Sequence, residues 1–253
     1  MSGVNSGVIS QIDKMPGKNY STGWVIMTDR QSEIAAFYDA CLPYFSRDHT
    51  RANDRHIRIK VKLAQIVKAG MSILDLGCGT GITSQFMGQL GAKVTAVDIS
   101  PKLIEFAKKE SAHKNVKYRV GDITEVKYRD NRGLPYIFDG VVLVDVFEHI
   151  QREEINNAML AIDRCSGDRT FIVLNIPDGR YQKQAQVHLK ERLQIVDEAY
   201  SIEEILLLFA SIGFSPVDIN IYGINIACQY NTFIFNRTSE IERTHREFMA
   251  GTK

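Results

Sequence analysis

The stretch Ile73-Leu74-Asp75-Leu76-Gly77-Cys78-Gly79-Thr80-Gly81 runs from an apolar strand directly into a glycine-rich turn. Glycines at alternate positions let the main chain bend sharply and approach a ligand closely, because no Cβ stands in the way. The helix that follows directs its free N–H groups to the same place. A second strand ends at Asp98, where a carboxylate can accept hydrogen bonds from ribose hydroxyls. The sequence therefore predicts a pocket for a nucleotide-like ligand.

The spacing of the glycines distinguishes two kinds of nucleotide pocket. A dinucleotide-binding turn has the pattern Gly-x-Gly-x-x-Gly, and counting from Gly77 its third glycine would fall at position 82. That position is Ile82. The turn is therefore a poor match to an NAD-binding loop.

Further segments follow the turn in a fixed order, namely Val94–Asp98, Gly121-Asp122-Ile123 and Phe138–Val144. With an acidic residue two places before a Gly-x-Gly-x-Gly turn, this ordered set resembles the motifs of the class I S-adenosylmethionine (SAM)-dependent methyltransferases. The resemblance covers roughly Lys60 to Arg237. It implies a doubly wound, Rossmann-like α/β fold with a seven-stranded sheet, mostly parallel with a C-terminal antiparallel strand, and helices on both faces.

The apolar pattern divides the chain into three parts. Residues 1–53 are predicted to form a flexible segment, rich in Gly, Ser and Asn, followed by a lid helix at 31–45. Residues 54–237 are predicted to form the methyltransferase domain. Within it, a polar insert at about 177–200 follows a strand end and is expected to cap the substrate. Residues 238–253 are predicted to be a charged, peripheral tail.

Strands and helices alternate through the central part of the chain. Alternation predicts a parallel sheet covered on both faces, and Ser100-Pro101 is a strong helix start, with an N-cap followed by proline at the first helical position. The predicted strands are 72–76, 93–98, 116–120, 138–144 and 170–176, with an antiparallel pair at 215–221 and 229–235. The predicted helices are 54–69, 81–90, one from Ser100, 152–164 and 201–212.

The resemblance implies particular contacts with SAM. Asp75 would orient the turn and reach the amino group of the methionine portion. Asp98 would hold the ribose, and Asp122 with Ile123 would meet the adenine. The simpler alternative for Asp75 and Asp122 is a capping or turn role, and Cys78 is expected to fill space because no base stands near it. The predicted SAM-binding residues are Asp75, Gly77, Cys78, Gly79, Gly81, Asp98, Ile99, Asp122, Ile123 and Val144.

The segment Asp145-Val146-Phe147-Glu148-His149-Ile150 follows the fourth strand, at the end that faces the cleft. An oxygen acceptor of high pKa needs a base or a metal to remove its proton. Histidine is the side chain most often used for proton transfer near neutral pH, so His149, with Glu148, is predicted to be catalytic. The structural alternative is that Glu148 and His149 cap the next helix or stabilise the loop.

Asp-x-x-Glu-His also resembles the Glu-x-x-Glu-His segment of metal-assisted O-methyltransferases. Asp145, Glu148 and His149 could then hold a divalent ion, with His188 in the insert as a fourth ligand. Against this alternative, the first position is Asp instead of Glu. SAM is therefore the expected cofactor and a metal is not.

The charge balance indicates a small acceptor. Lysine and arginine number 31 against 30 acidic residues, so neither nucleic acid nor a membrane is the expected partner. The family members that methylate the nitrogen of a base or a glutamine amide carry an Asn/Asp-Pro-Pro-Tyr signature after the fourth strand. This chain has no such signature there, so the resemblance favours methylation at oxygen. The residues predicted to contact substrate are Tyr38, Tyr44, Arg55 and His188.

The remaining expectations concern compartment and assembly. Four scattered cysteines without a Cys-x-x-Cys pair argue against a zinc or disulfide framework. With no signal or membrane-spanning segment recognised, the protein is expected in the cytoplasm, as a monomer or homodimer. Alternatives are small-molecule N-methylation, NAD-dependent reduction, and SAM binding without catalysis in a partner subunit.

Overall fold

A computed structural model describes residues 21–22, 25–26, 28–50, 54–125, 128, 133–190 and 193–238. The predicted flexible segment at 1–20 lies outside the described residues, as does all but the first residue of the predicted tail at 238–253. Of the helices in the described ranges, none has the length and apolar character that crossing a membrane requires.

The strands in the described part of the chain form a small hairpin and one large sheet. The hairpin pairs β1 (Ser21–Thr22) with β2 (Val25–Ile26). The strands of the large sheet are β3 (Ser72–Leu76), β4 (Lys93–Asp98), β5 (Val116–Val120), β6 (Phe138–Val144), β7 (Ser166–Pro177), β8 (Phe214–Tyr222) and β9 (Tyr230–Arg237).

The seven strands of the large sheet are ordered β5-β4-β3-β6-β7-β9-β8. The pairs from β5 to β7 are parallel, and β9 is antiparallel to both of its neighbours. This confirms the predicted mostly parallel sheet with one C-terminal antiparallel strand. Strands β3 to β6 begin and end where the sequence predicts. Strands β3, β4 and β6 follow apolar runs, as central parallel strands do, whereas β5 alternates apolar and charged residues.

Helices cover both faces of the sheet. Ile59 and Met87 belong to the core on one face, and Ile155 and Phe209 to the core on the other. The helices are α1 (Asp29–Thr50), α2 (Asp54–Ile66), α3 (Ile82–Gln89), α4 (Pro101–Glu110), α5 (Ile155–Arg164), α6 (Gly179–His188) and α7 (Ile202–Ser211).

The insert at 177–200 contains α6, a helix that the apolar pattern does not predict. Its buried positions are Gly179, Gln182 and Ala185, which are small or polar, so apolar periodicity is absent from the sequence. Gly179 allows the close packing, since a Cβ there would lie 2.2 Å from the Tyr200 carbonyl oxygen.

The chain reverses its strand order at β3, because β4 and β5 lie on one side of it and β6 and β7 on the other. In open α/β sheets, ligands bind outside the carboxyl ends of the strands at such a reversal. The turn after β3, Asp98 at the end of β4 and the segment after β6 all lie at this edge.

Candidate active site

The turn after β3 has a backbone that only glycine adopts easily. Gly77, Gly79 and Gly81 have φ values of +70°, +52° and +82°. At Gly77 a Cβ would lie 2.3 Å from Val146 Cγ2, whereas at Gly79 nothing stands within 4 Å of the Cβ position. Gly77 therefore permits close packing between the turn and the segment after β6. Gly79 leaves an open space of the kind a closely approaching ligand requires.

Asp98 joins the end of β4 to this turn. Its Oδ2 accepts a hydrogen bond of 2.8 Å from the Gly79 amide, and its Oδ1 accepts one of 2.9 Å from the Ser100 amide. Burial raises the pKa of Asp98 to about 6, against these hydrogen bonds, which lower it. A carboxylate has about four lone-pair sites, so both oxygens can still accept ribose hydroxyls.

Asp75 lies beneath the turn and is almost fully buried. Ser84 Oγ, in the first turn of α3, donates to Asp75 Oδ2 at 2.5 Å. Burial raises the pKa of Asp75 to about 7, and the nearby Asp98 adds to the rise. Asp75 thus joins β3 to α3, and its role in orienting the turn stays a prediction. Its contact with a ligand stays a prediction.

The other predicted SAM contacts surround the same edge. Cys78 is buried in the core cluster around Ile59 and Met87, and burial raises the pKa of its thiol well above the usual value, as suits a space-filling residue. Asp122 Oδ1 accepts two 2.7 Å hydrogen bonds from Thr124, which is the turn role given as its alternative. Ile99, Ile123 and Val144 are partly buried near the strand ends.

His149 is held in one orientation by the insert. Its Nδ1 lies 2.7 Å from the Val196 carbonyl oxygen and 3.3 Å from Asp197 Oδ1. A carbonyl oxygen only accepts hydrogen bonds, so Nδ1 carries the proton and Nε2 holds the lone pair of the neutral ring. The tautomer is therefore the one that a base acting through Nε2 requires.

Glu148 stands next to His149 and is buried. Its Oε1 lies 3.7 Å from His149 Nε2, and its Oε2 has no hydrogen-bond partner among the described residues. Burial raises the pKa of Glu148 well above its usual range, with Asp145 and Asp197 adding to the rise. An unpaired buried carboxyl oxygen is costly, and a hydrogen-bonding atom of a bound molecule would satisfy it.

The lid helix α1 contributes Tyr38. Its ring centroid lies 6.1 Å from that of His149, and its hydroxyl is buried without a hydrogen-bond partner in the described part of the chain. Burial, then Glu148, Asp197 and Asp98, raise the pKa of Tyr38. Tyr38 thus lies close to His149, and its contact with substrate stays a prediction. Tyr44 packs edge-on against Phe45 at 5.6 Å.

Arg55, on α2, contacts the proposed metal ligand Asp145. Its Nε lies 2.8 Å from Asp145 Oδ2, while Asn175 Nδ2 donates to Asp145 Oδ1 at 2.7 Å. Both oxygens of Asp145 are therefore in use. In the described ranges, no group of three or more His, Cys, Asp or Glu side chains could hold a metal ion. The residues present do not fit the metal alternative.

His188 does not join this group. It is the last residue of α6 and is exposed, so the structure gives it no place as a fourth metal ligand. Its contact with substrate stays a prediction.

Comparison with known proteins places this geometry in a family. Residues 74–171 match the family model described as methyltransferase domain. The chain is 33% identical over 96 residues to a protein of Xanthomonas campestris named ubiquinone biosynthesis O-methyltransferase, a match to 37% of this chain and 38% of that protein. A mitochondrial protein of that name from Schizosaccharomyces pombe is 40% identical over 89 residues, 33% of this chain and 30% of that protein.

Solved structures show the same fold over most of the chain. The magnesium protoporphyrin IX methyltransferase of Synechocystis PCC 6803, solved with bound S-adenosylhomocysteine (SAH), has a TM-score of 0.61 at 15% identity and covers 92% of this chain and 96% of that one. A putative methyltransferase of Haloferax volcanii, solved with its activator Trm112, has a TM-score of 0.64 at 14% identity and covers 82% and 98%.

Residues 74–171 carry a methyltransferase domain. This agrees with the resemblance that the ordered motifs show, and the strand order confirms the predicted fold. The aligned stretches span less than two-fifths of the length of the two ubiquinone-pathway relatives. The family model, at residues 74–171, includes the turn after β3 and does not extend to the lid helix α1 or to the insert at 177–200.

Several residues of the methyltransferase site were not predicted from the sequence. Asp39, on α1, accepts hydrogen bonds from Ser100 Oγ at 2.6 Å and from the Lys102 amide at 3.0 Å. Asp197 contacts His149, and Asn175 contacts Asp145. Each of these contacts joins residues more than 25 positions apart, so local spacing carries no signal for them. Only the acidic character of Asp197, within an insert expected to cap the site, could have indicated it.

Proposed function

We propose that the chain transfers a methyl group from SAM to an oxygen atom of a small, polar molecule. The observation that supports this most directly is the orientation of His149. Its Nδ1 is engaged by the Val196 carbonyl and Asp197, so in the neutral ring Nε2 would hold the lone pair that a base requires.

Some residues of the site would bind the donor, and others would remove a proton from the acceptor. The turn at 77–81 and the Asp98 carboxylate would hold the donor, with Asp122 and Ile123 at its adenine end. SAM, when bound, supplies a methyl group activated by its sulfonium charge. His149 Nε2 takes the proton of the acceptor hydroxyl, which exposes a nucleophilic oxygen. Proton transfer by a positioned side chain typically contributes about 10²–10⁴-fold in rate.

Asp197 supports this base as a positioning residue. Its Oδ1 stands 3.3 Å from His149 Nδ1, where a carboxylate holds the ring in the required tautomer and stabilises the imidazolium that forms. Glu148 contributes a second carboxyl group on the Nε2 side. The base thus has carboxyl groups near both ring nitrogens.

The lid and the insert exclude water from this chemistry. The hydroxyl of Tyr38 and Oε2 of Glu148 are both buried. The positive charge of a sulfonium disperses as the methyl group moves, so a dry site favours the transfer. The names of the two relatives, ubiquinone biosynthesis O-methyltransferase, favour an oxygen acceptor. The acceptor itself is a hydroxyl-bearing or carboxylate-bearing metabolite.

His149→Gln is the variant that tests this assignment. We expect the variant to bind SAH with unchanged affinity by calorimetry and to release SAH from SAM about 10²–10⁴-fold more slowly with a hydroxylated acceptor. The acceptor is chosen beforehand from a panel of phenols, sugars and carboxylic acids that the wild type methylates.

His113→Gln is the control, because His113 precedes the amino end of β5, opposite the cleft. Equal rates for His149→Gln and wild type would remove His149 as the base. Methylation only of amines would favour the N-methyltransferase alternative. Binding of NADH instead of SAH would contradict the proposal as a whole.

A further inference from the structure

Asp145 occupies a strained backbone position at the sheet edge where the candidate site lies. It follows β6 directly and has a φ of +52°, one of two non-glycine residues with positive φ in the described ranges. Such a conformation costs about 1–3 kcal/mol and persists only where the surroundings fix it. Its side chain and amide therefore need strong partners.

The direct partners of Asp145 come from two other elements, β7 and α2. The Asp145 amide donates to the Asn175 carbonyl oxygen at 2.9 Å, and the Asn175 side chain donates to Oδ1. Asn175 is in turn fixed by hydrogen bonds from Tyr222 and Thr232 of 2.8 and 2.7 Å. The guanidinium of Arg55 holds Oδ2.

Arg55 is itself held in place by contacts with Tyr230. It lies at the second position of α2 and its Nη1 donates to the Tyr230 hydroxyl at 3.2 Å. Its guanidinium also lies 5.5 Å from the centroid of the Tyr230 ring. Burial works to lower the pKa of Arg55, but Asp145 and Tyr230 raise it overall. The charge is thus retained in a partly buried position.

Arg55 places a positive charge beside a pair of carboxyl residues three positions apart. Its Nε lies 2.8 Å from Asp145 Oδ2, and the second carboxyl residue, Glu148, is buried. In a metal-dependent site of this pattern, a divalent ion would supply that positive charge through carboxylate oxygens. In this chain, the oxygen of Asp145 that such an ion would need is paired with Arg55.

We propose that Arg55 is the resident cation of the Asp145–Glu148 carboxyl pair, so that the chain uses a guanidinium of α2 where a metal-dependent relative would use a divalent ion. Arg55 is then a positioning residue. It fixes Asp145 and, through the short segment that follows, the placement of His149. This inference rests on the proposed function for its effect on rate, but not for its effect on metal binding.

Binding of Mn²⁺, followed by electron paramagnetic resonance, tests the proposal without any acceptor. Wild-type protein is expected to leave Mn²⁺ free in solution. Arg55→Ala leaves two carboxyl groups uncompensated and is expected to bind one Mn²⁺ at least about tenfold more tightly than wild type. Arg58→Ala is the matched control, because Arg58 lies on the same helix, over the Tyr222 ring at 5.3 Å, and does not touch the carboxyl pair.

The effect on rate supplies the second arm. Methyl transfer by wild type is expected to be unchanged by EDTA or added Mg²⁺. Arg55→Ala should lower kcat about a hundredfold, because the base is misplaced, with SAH affinity unchanged. Arg55→Lys retains the positive charge, so this variant should exclude Mn²⁺ as wild type does. If Arg55→Ala does not fold, Arg55→Lys is measured in its place.

The outcomes that overturn the proposal are specific. They are stoichiometric Mn²⁺ binding by wild type, loss of activity in EDTA that Mg²⁺ restores, or Mn²⁺ binding by Arg55→Ala no tighter than by Arg58→Ala. Arg55→Lys that binds Mn²⁺ would also contradict it. A wild type that does not bind SAH refutes the proposed function instead, and the Mn²⁺ measurement still decides the role of Arg55.

Discussion

Two neighbouring carboxyl groups, Asp75 and Asp98, illustrate how single residues set the chemistry of the cleft. Both are buried, and burial raises the pKa of each, to about 7 and about 6. Asp98 receives two backbone amides and faces the turn. Asp75 receives only the Ser84 hydroxyl among the described residues. Asp98 is therefore the better placed of the two to act as an acceptor at neutral pH.

Asp75→Asn is expected to change how stability depends on pH. The ordinary pKa of 3.8 rises to about 7 in the folded state, so the folded protein binds this proton more tightly than the unfolded chain does. The contribution of Asp75 to stability is therefore greatest below about pH 4 and is lost as the pH rises towards 7. Between about pH 4 and pH 8 the free energy of unfolding should shift in favour of the variant by roughly 2–4 kcal/mol.

Urea unfolding of wild type and variant at a series of pH values measures this shift. Asp168→Asn serves as the control, because Asp168 is exposed on β7, and it should follow wild type across the range. Parallel stability curves for Asp75→Asn and wild type would show that Asp75 keeps an ordinary pKa in the folded protein.

The residues whose roles were predictable are those fixed by local geometry. Asp98 ends an apolar strand and precedes a proline-marked helix start, so its place at the sheet edge follows from a few neighbouring residues. The partners of His149 do not. Val196 and Asp197 lie 47 and 48 positions from it, and only the folded insert brings them to the ring. The pairing of Arg55 with Asp145 was likewise not predictable from local spacing, and its predicted contact with substrate stays a prediction.

At the scale of elements, the lid helix α1 is fastened to the cofactor side by one buried carboxylate. Asp39 accepts from the Ser100 hydroxyl and the Lys102 amide, at the start of α4. Ser100 also caps that helix by accepting from the Leu103 amide at 3.1 Å. The position of the lid and the start of α4, immediately after Asp98, are therefore connected.

Asp39→Ala should loosen α1 without unfolding the sheet. The change leaves two donors without their acceptor, at a cost of about 1–3 kcal/mol. Backbone amides in α1 are expected to exchange with deuterium about tenfold faster or more, while amides in α5 and α7 exchange as in wild type. Glu33→Ala, on the exposed side of α1, is the control and should leave exchange unchanged. Equal acceleration in every element would mean that Asp39 stabilises the whole domain and not the lid.

Element boundaries were predictable where apolar runs decide them and not where small or polar residues do. Strands β3, β4 and β6 follow their Val, Ile and Leu runs. The Ser201 capping box at α7 agrees with the predicted helix start at 201. Helix α6 instead buries Gly179, Gln182 and Ala185. Its packing depends on a close approach to the Tyr200 backbone, which no pattern in the sequence shows.

At the scale of the whole molecule, the two ends of the proposed donor site belong to different strands joined through one carboxylate. The turn after β3 and the end of β4 are connected by the Asp98–Gly79 hydrogen bond, and the amides of Gly77 and Cys78 donate to the Val97 carbonyl oxygen at 2.8 and 2.9 Å. A ligand that bridges the turn and Asp98 would stabilise the sheet centre and, through Asp39, the lid.

SAH at about a hundred times its dissociation constant is therefore expected to stabilise the protein by about 2.7 kcal/mol, which raises Tm by roughly 5–10 °C. Differential scanning calorimetry measures this shift. Asp98→Ala should abolish most of it, because the carboxylate that joins turn and strand is gone, whereas His149→Gln should retain it, because the base acts on the acceptor. Asp218→Ala, at the far edge of the sheet where Asp218 pairs with Lys62, should also retain it. A full shift in Asp98→Ala, or a larger shift with NADH than with SAH, would place the ligand elsewhere than between the turn and β4.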